Sequence, residues 1–144
     1  MICVDASVAV KWVLEEPHSE RAEALLVAAT TERHAIIAPP LLPYEVTNIL
    51  RKRMLRDGLA LADADRLLAE FLSPRLTYRQ PRNLHRTALA LADAYSFRAT
   101  YDAHYLGLAK QHRCNLWTDD QRLLGALAGQ LAFVRWIGDF QSEL

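Results

Sequence analysis

The sequence predicts a single three-layer α/β domain over residues 1–144, with a central parallel β-sheet of about five strands flanked by helices. Three observations predict it. Short apolar runs such as Ile2-Cys3-Val4 and Ala35-Ile36-Ile37-Ala38 are continuous instead of alternating, as in strands buried on both faces. Longer segments with helical apolar spacing separate these runs, so strands and helices alternate along the chain. The 144 residues are 51% hydrophobic and 24% charged, a globular composition with enough apolar material for a full core.

Each element follows in order. Ile2-Cys3-Val4 reads as the first strand, and Ala6 to Glu15, carrying Val8, Val10, Trp12, Val13 and Leu14, as the first helical segment. Pro17 then opens the Ala/Leu-rich helix Ser19 to Ala29. Strand two, Ala35 to Ala38, stops at Pro39-Pro40. Leu42 to Arg56 is a strongly amphipathic helix that Asp57-Gly58 ends, and Leu61 to Leu72 is another, with Ser73-Pro74 as breaker. Leu76-Thr77-Tyr78 is a weak third strand. Helices follow at Leu84 to Phe97 and Asp102 to His112, then strand four at Leu116-Trp117-Thr118. A short helix from Asp120 to Leu127 and a last strand around Phe133-Val134 complete the chain.

Lys+Arg and Asp+Glu each total 17, and this balance argues against a protein that coats nucleic acid through bulk charge. The two cysteines, Cys3 and Cys114, read as buried thiols of a reducing compartment. Neither a signal leader nor an apolar run of membrane-spanning length is visible, so a soluble cytoplasmic protein with no membrane partner is expected.

Carboxylates mark the ends of the apolar runs. Asp5 follows the first strand, Glu45 stands just inside a helix, Asp102 opens a helix, and Asp119-Asp120 follow strand four. Taken singly, each reads as a helix N-cap or as a first-turn acid favoured by the helix dipole. Taken together, they would meet where the carboxyl ends of parallel strands converge on one crevice. Carboxylates gathered without basic partners repel one another, and a hard divalent cation relieves that repulsion. Along the helix of Glu45, the residues Asn48, Lys52 and Arg56 form one stripe, which Arg51 and Arg53 widen. Such a stripe is either a solvated helix face or a track for a polyanion.

The segments Val4-Asp5-Ala6-Ser7, Pro43-Tyr44-Glu45-Val46-Thr47-Asn48, Tyr101-Asp102-Ala103-His104-Tyr105-Leu106 with Leu108-Ala109, and Leu116-Trp117-Thr118-Asp119-Asp120-Gln121-Arg122-Leu123 resemble the four motifs of the PIN domain (the PilT N-terminal fold). The resemblance covers nearly the whole chain, and at this length it is closest to VapC-type toxins of bacterial toxin–antitoxin pairs. It implies metal-binding and catalytic acids at Asp5, Glu45, Asp102 and Asp120, the last aligned through Thr-x-Asp-x-x-Leu on Thr118, Asp120 and Leu123. Asp119 then falls at a variable position. Ser7 and Thr118 match supporting hydroxyls, Asn48 a polar position, and Lys52 and Arg56 would meet substrate phosphates. His104 and Trp117 depart from the usual apolar and aliphatic residues.

The resemblance further implies Mg²⁺- or Mn²⁺-dependent hydrolysis of RNA, a small cognate antitoxin and a homodimer formed through helices. Two alternatives stand beside it. A receiver-like regulatory domain would want a second acid beside Asp5, which Cys3-Val4-Asp5-Ala6 does not offer. A non-catalytic PIN-like binding or scaffold protein would be expected to have lost acids, and all four are present. No G-x-x-x-x-G-K-[ST], G-x-G-x-x-G or H-E-x-x-H pattern occurs, so nucleotide-cofactor and zinc-peptidase chemistry have no support.

Overall fold

The computed structural model of the protein describes residues 1–73 and 76–142. Pro74 of the expected Ser73-Pro74 breaker lies outside the described residues. Five strands form one parallel sheet: β1 (Ile2–Val4), β2 (Ile36–Ala38), β3 (Thr77–Tyr78), β4 (Leu116–Thr118) and β5 (Val134–Trp136), in the order β3-β2-β1-β4-β5. Cys3 pairs with Ile37 on one side and Leu116 on the other, so β1 is the central strand. Its three residues, like those of β2 and β4, are all buried, which is why these runs are uniformly apolar.

Helices cover the sheet: α1 (Ala6–Ala9), α2 (Ser19–Thr31), α3 (Leu42–Asp57), α4 (Leu61–Phe71), α5 (Leu84–Ala94), α6 (Tyr101–His112) and α7 (Gln121–Leu127). The first helical segment is shorter than expected. After α1 it tightens to a 3₁₀ turn, Val10–Trp12, where the Val13 and Leu14 N–H groups both donate to the Val10 carbonyl. Val8, Val10 and Val13 are poor helix formers, and Trp12 Nε1 is drawn away to the Ala22 carbonyl at 2.9 Å.

Helix α5 also stops early, at Ala94 and not Phe97. Ser96 turns into the left-handed region at φ 55°, and the Phe97 N–H closes on the Ala92 carbonyl at 2.8 Å. Helices α2 and α6 end the same way, with Arg33 and Arg113 left-handed and His34 and Cys114 donating back to Ala29 and Ala109. This is the Schellman closure without its customary glycine, so composition did not mark it. Gly58 does mark the end of α3, at φ 72°. β5 lies slightly later than Phe133-Val134, because its register is fixed by pairing Leu116 with Val134 and Thr118 with Trp136.

Residues from every layer meet in one core, including Leu25, Ile37, Leu42, Leu84, Tyr105, Leu116, Ile137 and Phe140. Phe71 is buried there and Leu67 and Leu68 pack against it, whereas Leu72 is exposed. Trp117 is also core, its ring edge-to-face with Phe140 at 5.3 Å. α5 and α6 approach closely at Gly107, where an added Cβ would lie 3.3 Å from both Leu84 Cδ1 and Thr87 Cγ2. Cys3 and Cys114 are free and buried, and burial holds both thiols above their ordinary pKa and therefore neutral. Among the described residues no helix is long and apolar enough to cross a membrane.

Candidate functional site

The order of the sheet decides where chemistry can sit. From β1 the chain runs outward through β2 to β3, while β4 and β5 lie on the other side, so the connections diverge between β1 and β4. A crevice opens outside the carboxyl ends of strands at such a switch point. Asp5 leaves β1 there, and Asp119-Asp120 leave β4. The turn after β2 launches α3, which carries Glu45 in its first turn, and α6 carries Asp102 in its own.

One cleft of ≈ 250 Å³ results, lined by Asp5, Glu45, Asp102 and Asp120 together with Ser7, Asn48, Lys52, Tyr105 and Arg122. Four acids from four separated segments therefore share one wall-to-wall space. Arg56 is not part of it, because its guanidinium is hydrogen-bonded to Asp57. The Ser7 hydroxyl donates to Asp5 Oδ1 at 2.6 Å, lies 3.4 Å from the Thr118 hydroxyl, and accepts the Asp119 N–H at 2.7 Å. The Thr118 hydroxyl oxygen accepts the Asp120 N–H at 3.0 Å. Two small hydroxyls thus tie the end of β1 to the end of β4 and aim the acids that follow them. The N-cap reading holds for Asp5, which accepts from the Val8 N–H; α7 is capped by Asp120, through the Arg122 and Leu123 N–H groups, and not by Asp119, and Asp102 stands in the first turn of α6 with Thr100 at the cap.

The electrostatics are uneven. Burial pushes the Asp5 carboxyl up to about 7, against the pull of hydrogen bonds from Ser7, Thr118 and Val8, and Asp102 adds repulsion. Burial also raises Glu45, although the Tyr105 hydroxyl donates to it, and raises Asp102, which Asp120 repels. For Asp120, burial is outweighed by Arg122 and by the N–H groups at the start of α7, so its carboxyl stays below the usual range. Arg122 Nη2 sits 3.1 Å from Asp120 Oδ2.

Asp119 takes no part in the cleft. Its carboxylate points the other way, accepting from Lys11 Nζ at 3.0 Å and Trp136 Nε1 at 2.8 Å and meeting His18 Nδ1 at 3.2 Å. Tyr105 and Arg122 were not singled out from sequence. Both carried a signal: Tyr105 stands three residues after Asp102 on one helix, and Arg122 two after Asp120. A groove of ≈ 570 Å³ continues from the cleft, sharing Glu45, Asp102 and Arg122 and adding Phe97, Arg98 and Tyr101.

The donor set is all oxygen and mostly anionic, which suits Mg²⁺ or Mn²⁺, cations that need few protein carboxylates and retain waters. Among the described residues, however, no three acidic, histidine or cysteine side chains converge on one point as they stand. Glu45 is engaged by Tyr105 and Asp120 by Arg122.

An open parallel sheet with an acidic cleft at its switch point defines the class: an α/β protein whose candidate site lies at the carboxyl edge of its strands. More narrowly, residues 2–128 match the PIN domain, and the chain belongs to the PIN domain family. It is therefore a nuclease fold, of a family whose members are generally metal-dependent nucleases. The crystal structure of PAE2754 from Pyrobaculum aerophilum is similar over 95% of this chain and 90% of that one, at 25% identity and a TM-score of 0.67. No curated protein is significantly similar to the chain.

Proposed function

We propose that the protein is a Mg²⁺- or Mn²⁺-dependent endoribonuclease and the toxin of a VapC-type toxin–antitoxin pair. The observation that carries this reading is the meeting of Asp5, Glu45, Asp102 and Asp120 in one cleft, with Asp5 buried and, among the described residues, no cationic side chain bonded to it. In this reading the four acids hold the ion. A bound divalent cation would supply an acidified water and neutralise charge on the phosphodiester. Ser7 and Thr118 keep Asp5 and the Asp120 backbone in place. Lys52, at the cleft wall, takes a flanking phosphate, and Asn48 orients beside it. Arg122 meets the substrate from the side of α7.

The partners follow from the family resemblance. A small antitoxin covers the cleft and groove, and two copies of the chain associate through helices. The test uses partner-free protein and total RNA with Mn²⁺, Mg²⁺ or chelator. Cleavage is expected with either ion, none with chelator, and none with Asp5→Asn. An Asp5→Asn variant that cuts as fast as the unmodified protein ends the assignment. If Mn²⁺ neither supports cleavage nor raises the melting temperature, a non-catalytic binding role replaces it.

A further inference from the structure

A second cavity of ≈ 270 Å³ opens on the same edge of the sheet and is not used by the acids. Pro39 and Pro40, just past β2, and Leu84, at the start of α5, give it apolar walls. Its remaining sides come from Leu41 and a chain of hydrogen-bonded polar side chains. His104 Nδ1 donates to the Thr100 carbonyl at 2.6 Å, because a carbonyl only accepts, so Nδ1 carries a hydrogen. His104 Nε2 then accepts, taking the Nδ1–H of His85 at 2.9 Å. His85 Nε2 in turn accepts from the Gln80 amide nitrogen at 3.0 Å.

This chain occupies every ring nitrogen, so the two imidazoles, edge-to-face at 5.1 Å, have no polar atom left for the cavity. The Gln80 carbonyl oxygen, at the exposed rim, and the Tyr101 hydroxyl have no protein partner among the described residues. Tyr101 lines both this cavity and the groove that leads to the acids, and its neighbour in the chain is Asp102. More than half of Tyr101 is exposed, at 59%.

We propose that this cavity is a nucleobase subsite. It takes one unpaired base flanking the cut site of the RNA, with the ring between the apolar walls and an edge N–H donated to Gln80 Oε1. This rests on the ribonuclease reading of the neighbouring cleft. A planar heterocycle with a donor on its edge fits between the apolar walls and reaches Gln80 Oε1 at the exposed rim, and Tyr101, shared with the groove, puts it on the path of a strand entering the acidic cleft. RNA is commonly read through bases splayed out of the strand into pockets of this kind, with aromatic side chains as stacking platforms. Tyr101 is such a platform at the mouth, and the closed histidine chain holds the pocket in shape before the base arrives.

The test compares cut-site sequences from a randomised single-stranded RNA cleaved with Mn²⁺ by the unmodified protein, by Gln80→Ala, and by Leu41→Phe, which narrows the cavity. The unmodified protein should favour one base at a fixed position beside the cut. Both variants should lose that preference by about 2- to 10-fold, the range of one hydrogen bond. No preference in the unmodified protein, or the same preference in both variants, overturns the subsite. If the unmodified protein cuts no RNA at all, the ribonuclease reading has failed, and the subsite is decided by binding alone. The emission of single-stranded oligonucleotides carrying 2-aminopurine should then change on adding the unmodified protein and not on adding Leu41→Phe, and no change with the unmodified protein overturns it.

Discussion

Asp5 is held where its negative charge is costly, and the cost has a pH signature. Its carboxyl titrates at about 7 in the folded chain against an ordinary 3.8. Between those values the folded protein keeps a proton that the unfolded chain has released. Stability therefore falls as pH rises through this window, by up to roughly 4 kcal/mol in the metal-free protein. Glu45 and Asp102 are raised as well and act in the same direction. Asp57, Asp119 and Asp120 are lowered; their stabilisation is lost only in more acidic solution, below the ordinary carboxylate range. Melting in chelator should accordingly be higher at pH 5 than at pH 8. Asp5→Asn should flatten that difference and melt above the unmodified protein at pH 8; a flat profile for the unmodified protein would refute the account.

Arg122 makes a second prediction at this scale. Its side chain is 91% exposed, so its bond to Asp120 is an exposed ion pair of small worth. Arg122→Ala should tighten Mn²⁺ binding by up to about 5-fold, by freeing Asp120, and should weaken RNA binding. Titrations of each ligand check the two opposite signs. The four acids and both hydroxyls were legible in the sequence because short motifs fix them. Arg122 and Tyr105 were not singled out, because a cleft wall is a tertiary fact and neither spacing alone distinguishes it from surface or core.

Among the elements, α5 and α6 depend on a missing side chain. Gly107→Val would drive new atoms into Leu84 and Thr87, already 3.3 Å from a single added carbon. A loss of about 1–3 kcal/mol is expected, measurable by urea unfolding. At the end of α3, Gly58→Ala would place a Cβ at φ 72° in open space, so only backbone strain acts, costing about 1 kcal/mol. Strand positions and helix identities were readable from apolar period. The end of α3 was readable at Gly58 and that of α6 at His112, just before strand four, whereas the end of α5 carried no such mark. Ser96, Arg33 and Arg113 adopt the same left-handed turn with ordinary residues, so α5 could not be seen to stop before Phe97.

Across the whole molecule, an ion chain centred on a buried lysine joins parts far apart in sequence. Lys11 is 7% exposed and bridges Glu16 at 3.3 Å and Asp119 at 3.0 Å, while Glu16 reaches Arg53 on α3 at 2.8 Å. Trp136 of β5 completes the grip on Asp119. Asp119 is thus an anchor behind β4, which explains why the neighbouring Asp120 alone faces the cleft. Lys11→Met leaves Asp119 without its ammonium partner and should cost about 3 kcal/mol or more, whereas Lys11→Met combined with Asp119→Leu should recover part of that loss. Thermal melts of the two variants separate these outcomes. The parallel sheet was predictable from alternation, but this chain was not. Its neighbours Val10 and Trp12 carry no mark that pairs Lys11 with Asp119, more than a hundred residues away; the fold brings the two together.

The thiol of Cys3 lies on the central strand with no exposure, and its neutral state makes it a poor nucleophile. A disulfide-exchange reagent can reach it only when the sheet itself comes apart. The labelling rate of Cys3, with Cys114 replaced by serine, therefore reports how often the native molecule opens completely, and a cation seated among the acids should slow that reaction in proportion to its occupancy.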